Sequence, residues 1–489
     1  MNQETSISTL QNENRFLKEK VDELEELVRH LQRKRFSPSS EGMLHPNMKP
    51  LFEFEPTNKE EEVENADTVE VKPYVRKPAR KPLPESLLRE EILCDLPEED
   101  KSCSCCGEAM VRTHEKFSEK LHIKPAEFVV KKYITPAYAC KKCETMKQAK
   151  VPAHPIPKCS VTPETLAYIA TSKFIDGMPF HRTEKAFGRH GVEIARDQMA
   201  RWMVTLGSQL ALLVSLLHEK LLSSDSVGMD ETYLQVLKEK GRRPDQKSFL
   251  LVQAREGPPG QKIVLFHYEK SRASAVISRY LEGFCGALVT DGLAVYDSYC
   301  QGKHINHGGC WSHARRRFAE ALKGKKKRSG VAKTAMEIIK ELFLIEKEVQ
   351  GKPLSDIARI RRTQSQAHIE ELKDLWVDNI DQIPQKSLTG KALHYLKNQW
   401  DLLTMFLEDP RLPIHNNYVE RQIKHVATGR KSWLFCDTVA GAHASAAFYS
   451  LMVTAKENGL NPYDYMCDVL TRLPTETDLE SLLPFQPIH

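Results

Sequence analysis

Ser226-Val227-Gly228-Met229-Asp230-Glu231-Thr232 is the stretch on which the fold turns, a short apolar rise ending in a carboxylate. Ser248 to Gln253 and Lys262 to His267 follow as two more strand-like runs. Ser274 to Phe284 has a helical pattern, and Gly286-Ala287-Leu288-Val289-Thr290-Asp291 is a fourth apolar run that also ends in Asp. The predicted order is βββαβ: three antiparallel strands, a helix and a parallel fourth strand. Asp230 then lies inside the first strand and Asp291 just past the fourth. If those strands pair centrally, the two carboxylates meet at one sheet edge, and the chemistry is expected there.

A chain of 489 residues exceeds what one core organises and predicts three or four folded units. Lys and Arg total 71 against 66 Asp and Glu, a surplus of five that permits a nucleic-acid partner without demanding one. The longest apolar stretch, Leu206 to Leu222, is broken by Ser208, Gln209, Ser215, His218, Glu219 and Lys220, so it reads as an amphipathic helix and not a membrane span. Met1-Asn2-Gln3-Glu4 begins no secretory signal. Twelve cysteines are too sparse for a disulfide scaffold, and two CxxC pairs point to metal in a reducing cytoplasm.

Residues 1–36 carry a heptad repeat with Ile7, Asn14, Val21 and Val28 at one seam position and Leu10, Leu17, Leu24 and Leu31 at the other. β-branched residues at a with Leu at d favour a parallel two-stranded coiled coil, and one Asn at a fixes its register, so a homodimer or higher oligomer is expected. Residues 37–83 are polar, proline-bearing and first acidic then basic, a tether with too little apolar surface to fold. In 84–155, Cys103 with Cys106 and Cys140 with Cys143 offer four thiolates at the spacing of a closed tetrahedral zinc site, with a hairpin expected between the two knuckles and Cys105 as a surplus thiol. In 156–222, Thr162-Pro163 starts one helix, Phe180 to Arg189 a second and Ala195 a third. This helix-turn-helix pattern would set Arg196, Gln198 and Arg201 toward base edges and leave Trp202 and Met203 in the core.

The two aspartates suggest phosphoryl chemistry on DNA, where divalent metals held by carboxylates activate the attacking oxygen and stabilise the leaving one. Hard oxygen ligands suit Mg²⁺ or Mn²⁺. The third ligand is expected from Glu420 on a helix that Pro413, Asn416 and Asn417 lead into. Arg421, Lys424, Arg430 and Lys431 follow as partners for the phosphate backbone, and Arg315 and Arg316 sit on an earlier helix with the same expected role.

At this point the chain resembles the transposases of the insertion sequence 66 family. The resemblance rests on the zipper, Pro82-Leu83-Pro84, the CxxC pairs and Met229-Asp230-Glu231-Thr232. It continues through Thr290-Asp291-Gly292, Cys310-Trp311-Ser312-His313-Ala314-Arg315-Arg316-Arg317-Phe318, Asn416-Asn417-Tyr418-Val419-Glu420-Arg421 and Gly429-Arg430-Lys431-Ser432-Trp433-Leu434-Phe435. It implies a DDE-type, RNase H-like core whose catalytic triad is Asp230, Asp291 and Glu420, acting on element ends and target DNA in the bacterial cytoplasm, with helper proteins as further partners. His415 stands where the family usually has Asp.

The core is expected in two parts, 223–322 and 412–489, around an all-α insertion at 323–411, giving a multidomain α/β and α chain. The insertion's basic runs, Lys323 to Arg328 and Arg359-Ile360-Arg361-Arg362, are read either as DNA contacts or as solvated loops. Two other readings compete with a transposase: a DNA-binding regulator whose core is only a scaffold, and a structure-specific nuclease.

Overall fold

The structure is a computed structural model that describes residues 127–139, 146–323 and 330–485 and the single positions 89, 105 and 108. The heptad stretch, the 37–83 tether, the four knuckle cysteines and the basic run after Lys323 lie outside the described residues. A short antiparallel hairpin, β1 (Ala137–Ala139) with β2 (Met146–Gln148), flanks the second CxxC pair. The hairpin expected between the two knuckles falls largely outside the described residues.

Helices α1 (Pro163–Phe174), α2 (Phe180–Gly188) and α3 (Arg196–Leu222) come next. Pro163 at the first helical position starts α1 as the sequence predicts, and Gly177 at positive φ lies just past its end. The third helix differs from expectation. The segment read as a short recognition helix and the amphipathic stretch Leu206–Leu222 are one helix of 27 residues. No Pro interrupts it, and Gly207 survives in its middle because a Cβ there would lie 2.5 Å from Ala444 of another helix, so the glycine permits a close crossing. Met199, Trp202, Met203, Leu206, Leu210, Leu213, Leu217 and Leu221 are buried in the same cluster as the sheet residues, so α1–α3 share a core with the sheet.

The six-stranded main sheet runs β3 (Ser226–Lys238), β4 (Lys247–Arg255), β5 (Ile263–Glu269), β6 (Ala287–Val289) and β7 (Asn306–Gly308) in the order β5-β4-β3-β6-β7, and a sixth short strand, Cys436–Thr438, pairs in parallel with the far end of β3. The first three strands are antiparallel neighbours, and β6 and β7 add in parallel beyond β3. Helix α4 (Ser274–Tyr280) makes the crossover to β6, and α5 (Ala294–Cys300) the one to β7. Inner strand position explains composition: Leu250 and Val252 of β4 and Leu288 of β6 are fully buried.

After α6 (Trp311–Leu322) the insertion is helical, with α7 (Val331–Val349), α8 (Leu354–Ile360), a π turn (Arg361–Ser365), α9 (Gln366–Asn379) and α10 (Leu388–Glu408). Its apolar faces join Trp311, Phe318 and Val289 in a second buried cluster. Arg361, grouped by sequence with a basic surface run, is buried there. It grips Glu346 at 2.7 and 2.6 Å and donates to the carbonyls of Phe406 and Leu412 at 2.7 and 3.0 Å, which makes it a structural strut.

The chain returns through α11 (Asn417–Trp433), β8 (Cys436–Thr438), α12 (Val439–Glu457) and α13 (Pro462–Arg472). Helix α12 covers the open edge of β5. Backbone N–H groups of Val264 and Phe266 donate to Thr454 Oγ1 and Ser450 Oγ at 3.0 and 2.8 Å, and Asn458 takes the N–H groups of Gly260 and Lys262. Ser450, Thr454 and Asn458 recur every four residues on one helix face, and so supply an edge strand with the partners that a missing neighbour strand would have given.

Candidate active site

Strands β3 and β6 pair in parallel with Ser226 opposite Ala287 and Gly228 opposite Val289. Two residues further along stand Asp230, still in β3, and Asp291, just past β6, near enough for the charge of Asp291 to act on Asp230. The sheet therefore brings together two residues sixty-one positions apart, as the strand pattern predicts. Asp291 sits in the turn after β6, where its Oδ1 accepts from the N–H of Leu293 at 3.2 Å. Behind it Thr290 Oγ1 meets His307 Nε2 at 2.8 Å, and His307 Nδ1 lies 2.9 Å from Asp297, which ties the β6 end to β7 and α5.

Glu420 arrives in the first turn of α11. What holds that helix to the sheet is Asn416, its N-cap, which is buried. Asn416 Nδ2 donates to the carbonyl of Met229 at 2.8 Å, and its backbone N–H donates to Cys310 Sγ at 3.3 Å. Gly228 makes the approach possible, since a Cβ there would stand 2.5 Å from Val419 Cγ2 and 2.6 Å from Asn416 Oδ1. At the other end, Arg430 donates to the carbonyl of Tyr233 and to Thr232 Oγ1, so its guanidinium is engaged on β3 and does not stand free on the surface.

The electrostatics follow from this crowding. Burial, then the charge of Asp291, hold the Asp230 carboxyl up at about 8, with Glu231 and Glu420 adding to the effect. Glu231, on the opposite face of β3 by strand alternation, accepts from Tyr296 Oη at 2.6 Å. Its own carboxyl is raised by burial, with Asp291 contributing. Glu420 has Arg316 Nη2 at 3.3 Å and His313 Nδ1 at 3.7 Å. Burial lowers the His313 imidazole while Glu420 pulls it up.

Of the other sequence candidates, Arg196 and Arg201 are exposed on the first turns of α3, with Gln198 half-buried between them. Arg421, Lys424 and Lys431 are exposed along α11, Arg421 lying 3.5 Å from Glu256. Arg315 is half-buried over the Phe343 ring. In sequence, Cys310-Trp311-Ser312-His313 tempts toward a metal or a nucleophile but its spacing does not suit a closed zinc site, and Glu231 has no role. Alternation aims Glu231 away from Asp230, and nothing in the spacing Cys-x-x-His announces that Glu420, over a hundred residues later, completes a trio with Cys310 and His313.

Fold and site together define a mixed α/β protein whose acids collect where two parallel strands and a crossing helix meet. Residues 158–444 match the family model described as Transposase IS66 family, 450–485 the IS66 C-terminal element, 100–144 the zinc-finger binding domain of transposase IS66, and 23–92 the Transposase C of IS166 homeodomain. The chain belongs to the IS66 transposase family, and membership implies an insertion-sequence transposase that works on DNA. The zinc-finger match encloses Cys103, Cys106, Cys140 and Cys143, supporting a structural zinc. Similar curated proteins come from Sinorhizobium fredii. Uncharacterized protein y4qI is 32% identical over 428 residues, 84% of this chain and 78% of that protein. Uncharacterized protein y4jD is 32% identical over 422 residues, 82% and 81% respectively.

Proposed function

We propose that the chain is a DDE-type transposase with an RNase H-like catalytic core, in which Asp230, Asp291 and Glu420 hold divalent ions while a phosphodiester at an element end is cut and joined to target DNA. The observation that carries this is the parallel pairing of β3 and β6 up to Gly228 and Val289, two residues short of Asp230 and Asp291, with the charges of Asp291 and Glu420 both acting on Asp230 and Glu420 on a helix that Asn416 fastens to β3. The strand order, three antiparallel followed by two parallel, supports the RNase H-like assignment.

The donor set suits Mg²⁺ or Mn²⁺, because three carboxylates offer only hard oxygens. An Asp230 carboxyl held at about 8 by burial and by a neighbouring acid is mostly protonated at neutral pH, and nearby positive charge favours its ionised form. When bound, such ions activate the attacking oxygen and stabilise the leaving one. The chain's own residues do the positioning. Asn416 and Arg430 fix α11 against β3, while Arg316, Arg421, Lys424 and Lys431 offer cations to the phosphate backbone beside Glu420. Arg315, half-buried, borders them. Arg196, Gln198 and Arg201 are assigned to base edges. Cys103, Cys106, Cys140 and Cys143 are assigned to zinc, and residues 1–36 to a dimeric coiled coil.

The test is full-length protein, Mg²⁺ and a duplex carrying the element's ends. Glu420→Gln is expected to bind the duplex as wild type does and to lose strand cleavage. Cleavage by that variant at the wild-type rate would remove the catalytic assignment.

A further inference from the structure

Cys310, His313 and Glu420 converge beside the acid pair, and their Sγ, imidazole nitrogen and carboxylate oxygen all lie within 4.8 Å of one another. His313 Nδ1 and Glu420 Oε1 face each other at 3.7 Å. Both atoms are sealed from solvent and neither has a hydrogen-bond partner. Two buried polar atoms left without partners cost free energy unless something binds between them. Cys310 is buried at the N-cap of α6, His313 lies in the first turn of the same helix, and Glu420 is brought across by α11.

The ligand chemistry separates this trio from the carboxylates. Thiolate and imidazole select a soft or borderline ion, whereas magnesium takes oxygen and binds thiolate poorly. A tetrahedral zinc with bonds of about 2.0–2.3 Å holds its ligand atoms about 3.3–3.6 Å apart, so the 3.7 Å pair must close by a few tenths of an ångström and no separation by more than about 1.5 Å. We propose that Cys310, His313 and Glu420 form a site for one zinc ion, separate from the four-cysteine finger, and that its occupation draws Glu420 away from Asp230 and Asp291. The second clause rests on the catalytic reading above; the first does not. With three protein ligands the fourth position stays open, as for a metal that a phosphate or water can reach.

Metal content measured on full-length protein equilibrated with buffered free zinc tests the site directly. Wild type is expected to hold one zinc more than Cys310→Ala and one more than His313→Gln, while Cys103→Ala with Cys106→Ala loses a different one. Circular dichroism confirms that each variant is folded, and His313→Gln, at a half-buried position, guards against misfolding of the buried Cys310 variant. Equal zinc in wild type and both folded variants overturns the site. Mg²⁺-dependent cleavage then tests the second clause: zinc should inhibit wild type at least tenfold more than Cys310→Ala. Equal inhibition overturns the withdrawal of Glu420. Failure of the catalytic reading shows instead as unimpaired cleavage by Glu420→Gln, whatever the zinc count.

Discussion

Gly228→Ala should damage the protein at the point where α11 closes on β3. A methyl group there would stand 2.5 Å from Val419 Cγ2 and 2.6 Å from Asn416 Oδ1, against about 3.5–4.0 Å for carbon atoms in contact. Neither neighbour can step aside. Val419 is buried and its branched side chain is stiff in a helix, and rotating Asn416 breaks its 2.8 Å bond to the Met229 carbonyl. The helix must therefore retreat by about 1 Å, at a cost of about 1–3 kcal/mol for an overpacked contact. Glu420 moves with it, and in the catalytic role proposed for it a 1 Å misplacement costs on the order of 10²-fold in rate. Urea unfolding gives the first quantity, and Mg²⁺-dependent strand cleavage the second. Gly188→Ala is the control, since nothing lies within 4 Å of a Cβ there. If Gly228→Ala unfolds and cleaves like wild type, the close approach of α11 to β3 does not hold Glu420 in place. If it is destabilised but cleaves normally, the assignment of Glu420 to the reaction fails.

Other perturbations follow from the same packing. Arg361→Met strips the largely enclosed Glu346 of its guanidinium and leaves the carbonyls of Phe406 and Leu412 without their donor, so it should cost about 3–5 kcal/mol by urea unfolding, whereas neighbouring Arg362→Ala on the exposed side should cost little. Asn458→Ala removes the partner of the Gly260 and Lys262 N–H groups and should lower stability by about 1–3 kcal/mol while freeing the β5 edge, visible as faster amide exchange at Lys262. For Asp230, the folded value of about 8 lies above the ordinary 3.8, so the folded state holds a proton that the unfolded chain has lost between those values. Its contribution is full below about pH 4 and is lost as pH rises through 8. Without added divalent ions, unfolding free energy should therefore fall across that window by at most about 1.4 kcal/mol per pH unit, and Asp230→Asn should flatten the slope.

Much of the architecture was legible from local pattern. The apolar runs ending in Asp230 and Asp291 became β3 and β6, and Thr162-Pro163 became the start of α1, because strand alternation and helix punctuation are properties of neighbouring residues. Glu420 was legible as a residue on a helix after Asn416. Arg361 misled, because a run of arginines reads the same whether one of them ends in solvent or under a helix. The one long α3 also escaped, since no breaker marks where a recognition helix would stop and a packing helix begin.

The sequence by itself determined which residue types were available and which short segments would be strand or helix, since those depend on contacts within a few positions. Only the tertiary structure decided that Asn416 clamps Met229, that Ser450, Thr454 and Asn458 replace a missing strand, and that Cys310 and His313 meet Glu420. Each of those contacts joins residues roughly a hundred or more positions apart. Their hydrogen-bonding partners are fixed by how the sheet, insertion and returning helices pack, and the spacing of the side chains along the chain carries no trace of it.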